Sequence, residues 1–121
     1  MRNGDVDFEY DVALDSLYIY SGLNEDVLGV INFGNLIFDV GVSGKLVGLE
    51  VENISEVLGF KIDDLLKINE AKLFVQKQGD VVFLGFRINI GKEVLRYSYV
   101  IPKEKIALIC WNLKSKSITF H

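Results

Sequence analysis

Reactive side chains are scarce in this sequence of 121 residues. It has one cysteine, Cys110, and one histidine, His121, which is the last residue. A Ser-His-Asp or Cys-His site needs a histidine that is held in place, and terminal side chains are usually mobile. One cysteine also cannot form an internal disulfide or a cysteine-rich zinc or iron–sulfur cluster. We therefore expect no nucleophilic active site and no resident cofactor, and the residues favour a protein that is not an enzyme.

Long apolar runs and an excess of positive charge are missing too. Every apolar run is far shorter than the roughly 20 residues that span a bilayer, so we expect no membrane association. The first nine residues carry four charged side chains where a signal peptide needs an apolar core. Together with the single cysteine, this favours a reducing, cytoplasmic location. The pI of about 4.9 argues against nucleic acid as a partner.

Charge is distributed unevenly along the chain. Residues 1–80 carry a net charge of −9, whereas residues 81–121 carry +5. This distribution has two interpretations. Either the opposite charges of the two parts pair within one fold, or an acidic face of one chain contacts a basic face of another chain. Half of the residues are hydrophobic, which is rich for a small monomer, and another subunit can cover the excess. We therefore expect a homo-oligomer, most simply a dimer, or a protein partner.

Apolar and polar residues alternate along most of the chain, which is typical of half-buried strands. The longest example is an inner face of Val82, Leu84, Phe86, Ile88 and Ile90, with Arg87 and Asn89 on the opposite face. We predict a single α+β domain of mainly antiparallel strands, arranged as one sheet or as a partly rolled pair of sheets, with one or two short helices between two β-rich halves. Residues 1–52 are predicted to form β-hairpins, residues 53–68 a helical segment, and residues 71–121 a β-meander with late strands at 106–111 and 118–120.

The helical segment begins with a local capping signal. Asn53 can cap a helix, and Glu56 three residues later can reach back to it, as in a capping box. Gly59 ends this first helix. A second short helix is predicted over residues 62–68, with Ile62, Leu65, Leu66 and Ile68 turned inward.

Residues 10–20 are predicted to close the first hairpin. A β-rich run lies on each side of a turn that is bounded by Asp11 and Asp15. Aspartate suits such positions because its carboxylate accepts hydrogen bonds from nearby backbone N–H groups. We expect Asp11 to cap a single helical turn and Leu14 to fold onto the core.

Six residues of this half are the candidates for binding. The carboxylates can serve as turn caps and solvated charges, which is the favoured interpretation, or they can converge as an acid/base pair or a magnesium or calcium site. The tyrosines point away from the aliphatic face of their strand, where they either cover the second face of the sheet, pack on the helices or contact a protein partner. Gly48 leaves space into which one of these rings can pack. The candidates are Asp11, Asp15, Asp39, Glu50, Tyr18 and Tyr20.

Two blocks of this half match a family signature. The first is Tyr10-Asp11-x3-Asp15-x-Leu17-Tyr18-Ile19, and the second is Gly44-Lys45-Leu46-Val47-Gly48-Leu49-Glu50-Val51. In this order and spacing, they resemble the small prokaryotic family called domain of unknown function 2283. Asn53-x-Ser55-x-Val57-Leu58-Gly59 is similar to the helix of its longer archaeal members. The resemblance covers about residues 6–68 and implies a β-rich fold with a short helix, without an activity. Gly41 departs from the pattern, because members often carry aspartate there.

Three functions fit these observations. The favoured one is a non-catalytic protein-association module that forms a homodimer, because the chain combines outward tyrosines, opposed charges and no catalytic set. The second is an enzyme or divalent-ion binder that uses at least two of the four carboxylates, which must then lie close together in a concave site. The third is a small-molecule-binding β-domain, which requires an enclosed apolar pocket with a few polar groups.

Overall fold

The structure is a computed structural model, and it describes residues 7–102 and 118–120. Two short helices separate two β-rich halves of the chain. The first half contains β1 (Phe8–Asp11), β2 (Ser16–Tyr20), β3 (Val27–Phe33), β4 (Leu36–Gly41) and β5 (Leu46–Val51), followed by α1 (Ile54–Leu58) and α2 (Ile62–Leu65). The second half contains β6 (Ile68–Gln78), β7 (Val81–Ile90), β8 (Glu93–Pro102) and β9 (Ile118–Phe120).

The strands form two sheets. The larger has six strands in the order β1-β2-β5-β4-β3-β9, and β6, β7 and β8 form a three-stranded meander. All neighbouring strands are antiparallel except β9, which lies parallel to β3. The predicted α+β fold, mainly antiparallel with short helices between two β-rich halves, is therefore confirmed.

One hydrophobic core lies between the two sheets and the helices. Alternation places every second side chain of β2, β5 and β7 in it, and Phe38 and Phe86 are its largest fully buried members. Burying a side chain of this size stabilises the fold by about 1.5–3 kcal/mol. The helices contribute Ile54 and Leu65 to the same cluster. At one side of the core, the ring of Phe33 in β3 stacks on a ring of β8, with centroids 5.6 Å apart.

The helical segment is shorter than the sequence predicts. Helix α1 ends at Gly59, as expected, but α2 is a single turn, and Ile68 is already the first residue of β6. A single turn can direct only one side of itself at the core, and Leu65 is the residue that reaches it. Ile62 and Leu66 are 39% and 59% exposed, so the prediction that they turn inward is wrong.

Several predictions fall outside the described residues. These are the strand at 106–111, which contains Cys110, and the position of His121. Across residues 7–102 and 118–120, none of the helices has both the length and the apolar character required to cross a membrane.

Gly85 in β7 provides a test of the packing within the meander. A Cβ atom at this position would collide with the carbonyl oxygen of Tyr97 and the Cα of Ser98, both in the backbone of β8. Because a strand backbone cannot move aside without breaking its ladder, Gly85→Ala should lower the free energy of unfolding by about 1–3 kcal/mol in a urea titration. Ser98→Ala, at the exposed residue paired with Gly85, is the control and should change little. An unchanged urea midpoint for Gly85→Ala would contradict this packing.

Candidate protein-binding surface

Two tyrosines and two carboxylates share the outer face of the six-stranded sheet. Tyr18 in β2 pairs with Glu50 in β5, and Tyr20 pairs with Gly48. Asp39 in β4 pairs with Gly48 from the other side. Because Leu17 and Ile19 fill the core, the alternation of β2 turns both tyrosines away from it. We call the surface formed by Tyr18, Tyr20, Asp39 and Glu50 the tyrosine face.

A glycine makes space for the tyrosine rings. The centroids of Tyr18 and Tyr20 lie 4.8 Å apart. A Cβ atom added to Gly48 would lie only 3.0 Å from Cε1 of Tyr18, and 3.2 Å from the carbonyl oxygen of Ile19. The prediction that an aromatic ring packs on Gly48 is therefore confirmed, and the ring is that of Tyr18.

The hydroxyl of Tyr18 is fixed by a carboxylate two strands away. It donates a hydrogen bond to Oδ2 of Asp39. Burial raises the pKa of Tyr18 well above its usual value, and the hydrogen bond to Asp39 and the charge of that carboxylate raise it further. Tyr18 consequently stays neutral and keeps donating over the whole physiological range.

Negative charge is concentrated beside the tyrosines. Burial raises the pKa of Glu50, and the nearby charges of Glu52 and Asp39 add to this effect. A raised pKa means that the ionised form of Glu50 is less stable here than in water. A cation placed against this surface would stabilise that ionised form.

A hollow of about 210 Å³ opens on the β1 side of the tyrosine face. Of the residues around it, three are carboxylates and none is basic. Leu14 projects at its edge and is 68% exposed, so the prediction that Leu14 folds onto the core is wrong. The predicted role of Asp11 is confirmed, since its Oδ1 accepts a hydrogen bond of 3.1 Å from the N–H of Leu14. The hollow is lined by Glu9, Asp11, Leu14, Ser16, Tyr18, Tyr20 and Glu50.

Asp15 stabilises the fold through hydrogen bonds. Its Oδ1 accepts a 2.7 Å hydrogen bond from the hydroxyl of Tyr10, and its Oδ2 accepts one of 2.5 Å from the hydroxyl of Ser55. Burial acts to raise the pKa of Asp15, but the hydrogen bonds from Ser55 and Tyr10 outweigh it and lower the pKa. Burial and the bond to Asp15 in turn raise the pKa of Tyr10 to about 12.

The predicted capping box does not form. Asn53 has a left-handed backbone, with φ of 52°, and its side chain makes no capping hydrogen bond. A capping side chain normally belongs to a residue with an extended backbone. Asp15 takes over this function: its backbone oxygen accepts from the N–H of Ile54 at 3.0 Å, and its carboxylate accepts from the N–H of Ser55 at 3.3 Å.

The candidate carboxylates thus divide into two pairs. Asp11 and Asp15 accept hydrogen bonds that fix the first turn and α1, whereas Asp39, which accepts from Tyr18, and Glu50 lie on the tyrosine face. Within the part of the chain that the structure describes, no group of three or more histidine, cysteine, aspartate or glutamate residues is placed to hold a metal ion.

A second charged surface lies on the outer face of the meander. Lys72 in β6 pairs with Arg87 in β7, which pairs with Arg96 in β8, so three cations form one row across the strands. The row borders a groove of about 330 Å³ that also contains apolar side chains. The alternation of each strand predicts that these residues point outward, but only the register places them in one row. We call this surface the basic groove; it is lined by Lys72, Phe74, Val75, Gln76, Arg87 and Arg96.

Two of the three cations have partners in the chain. Arg87 forms a 2.5 Å ion pair with Glu70, and Lys72 forms one of 3.4 Å with Asp7. Arg96 is exposed and makes no ion pair with any residue in 7–102. The buried Nε of Arg87 also has no hydrogen-bond partner among the described residues. The groove therefore retains positive charge that the described part of the chain does not neutralise.

Comparisons with known proteins add no relative. A scan of family models, a search of curated proteins and a search of solved structures each found no match to this chain. The resemblance to domain of unknown function 2283 consequently stays a prediction based on the residues of its two blocks.

The hydrogen bonds of Asp15 predict a pH-dependent contribution to stability. Because its pKa is lower in the folded state than the ordinary value of about 3.9, the contribution is present above about pH 4 and is lost as the pH falls through the folded value. Asparagine can adopt the left-handed backbone of position 15. Asp15→Asn should therefore lower the free energy of unfolding by about 1 kcal/mol at neutral pH through the loss of hydrogen bonds alone. In urea titrations, the difference in the free energy of unfolding between this variant and the wild type should then become smaller below about pH 4.

Asp80→Asn, the same change in an exposed turn, is the control for this experiment and should not change the free energy of unfolding at any pH. If the difference in the free energy of unfolding between Asp15→Asn and the wild type stays constant down to the lowest pH, the charge of Asp15 contributes nothing to stability.

Proposed function

We propose that this protein is a non-catalytic association module whose tyrosine face binds a positively charged protein surface. The observation that carries the proposal is the packing of Tyr18 on Gly48 and against Tyr20, with carboxylates on either side, on the outside of the six-stranded sheet. Neither helix lies over this face, because Ile54 and Leu65 belong to the core on the other side of the sheet.

Tyrosine is suited to such a contact. Its ring supplies a large apolar area and its hydroxyl a polar end, which is why tyrosine is enriched at protein interfaces. Tyr18 is already held by Gly48 beneath it and by Asp39 at its hydroxyl. A side chain that is fixed before binding loses little conformational entropy in the complex, so the contact gains affinity.

The charge of the face selects the class of partner. Glu9 lies opposite Tyr18 on one side and Glu50 lies opposite it on the other, so carboxylates flank the ring across three strands. An approaching acidic surface would be repelled, whereas lysine or arginine side chains would pair with these groups. Because the charges are partly exposed, the association should weaken as salt is added.

Several residues that carry the family resemblance also build this surface. Tyr18, Gly48 and Glu50 form part of the face, and Asp15 fixes the turn that precedes β2. We propose on these grounds that the chain belongs to the domain of unknown function 2283 family, and that it acts in the cytoplasm as a homo-oligomer, most simply a dimer.

Sedimentation velocity over a range of micromolar concentrations tests the association. We expect the wild type to form a larger species as its concentration rises, and added salt to reverse this. Glu50→Lys should raise the dissociation constant at least tenfold, about the effect of losing 1.4 kcal/mol of binding energy. Asp80→Lys makes the same change of charge in an exposed turn and should leave the dissociation constant unchanged.

A wild type that sediments as a monomer at every concentration, with no partner recovered from cell extract, contradicts the proposal. Equal behaviour of Glu50→Lys and Asp80→Lys would also contradict it, since net charge rather than the tyrosine face would then control association.

A further inference from the structure

Within the part of the chain that the structure describes, the basic groove has fewer acidic partners than cations. Lys72, Arg87 and Arg96 lie directly opposite one another in the meander, and like charges in this arrangement destabilise a sheet. Glu70 and Asp7 offset two of them, and the third remains exposed. A surface of this kind is stabilised by carboxylates that come from outside the molecule.

The groove is not purely electrostatic. The ring of Phe74 lies on the same face of β6 as Lys72 and lines the groove together with the cations. The hollow beside the tyrosine face has the same mixed character with the opposite sign, because Leu14 and two tyrosines stand among its carboxylates. The two surfaces thus match in the two properties that determine recognition, namely charge and apolar content.

One molecule cannot bring these surfaces together. The tyrosine face lies on the outer side of the six-stranded sheet, and the basic groove lies on the outer side of the meander. Symmetric contacts between two tyrosine faces or two grooves would place like charges against each other. Only a contact between the face of one molecule and the groove of another pairs opposite charges.

We propose that the basic groove receives the tyrosine face of a second copy of this chain. The proposal rests on the proposed function and names its partner. Carboxylates such as Glu50 lie against Arg96 and Lys72 of the other copy, while the tyrosine rings cover Phe74. Because the two surfaces face away from each other, two copies make this contact once, and further copies extend it head to tail into a ring or chain.

A charge exchange between two variants tests this contact. Glu50→Lys damages the face and leaves the groove intact, whereas Arg96→Glu damages the groove and leaves the face intact. For each variant alone, the dissociation constant of self-association measured by sedimentation velocity should rise at least tenfold. An equimolar mixture should associate again, with both variants in equal numbers, because one intact face meets one intact groove and the two altered surfaces also carry opposite charges.

Lys92→Glu is the matched control, since it reverses an exposed charge in the turn between β7 and β8 and should associate like the wild type. Circular dichroism checks that each variant is folded. If Glu50→Lys does not fold, Glu9→Lys replaces it, because Glu9 is exposed and lies opposite Tyr18.

The possible results separate the two proposals. If Arg96→Glu associates like the wild type, or the mixture stays dissociated, the second copy does not occupy the groove, while the proposed function of the tyrosine face stands. If Glu50→Lys and Glu9→Lys both associate like the wild type, the tyrosine face is not used, and both proposals are wrong.

Discussion

The carboxylate of Asp15 joins parts of the protein that would not be stable separately. A two-stranded hairpin is marginal in water, and a helix of five residues does not form alone. By accepting hydrogen bonds from Tyr10 and Ser55, Asp15 makes the hairpin and α1 depend on each other. The helix in turn places Ile54 in the core. The first half of the chain should therefore fold as one cooperative unit rather than as separate elements.

Both charged surfaces arise from the same property of strands. A period of two fills the core with one set of side chains and leaves the other set outside, so each sheet presents a second face. In the six-stranded sheet this face carries carboxylates around Tyr18, and in the meander it carries the row centred on Arg87. Of the described basic residues in the second half of the sequence, Arg87 thus pairs with Glu70 of the first half on the surface of the meander, whereas Arg96 lies exposed beside it.

The features that the sequence predicts are those that depend on local pattern. The inner face from Val82 to Ile88 follows from alternation alone, and so does the outward direction of Tyr18. Pairing between distant strands does not follow from alternation, so the contact of Tyr18 with Asp39 could not be predicted. Local reasoning fails at Asn53 for the same reason, since the group that caps α1 comes from a residue 40 positions from Ser55. Likewise, the row of cations in the meander requires the register of three strands.

The contact between Tyr18 and Gly48 also restricts how this protein can evolve. Because the ring occupies the space that a Cβ atom would need, position 48 cannot gain a side chain while Tyr18 is kept unless the ring shifts. A larger residue at position 48 becomes acceptable only after the ring at position 18 is replaced by a smaller side chain, and that replacement also removes the hydroxyl from Asp39. Among homologous chains, the two positions should therefore vary together, and lineages that lose the tyrosine should no longer retain the glycine.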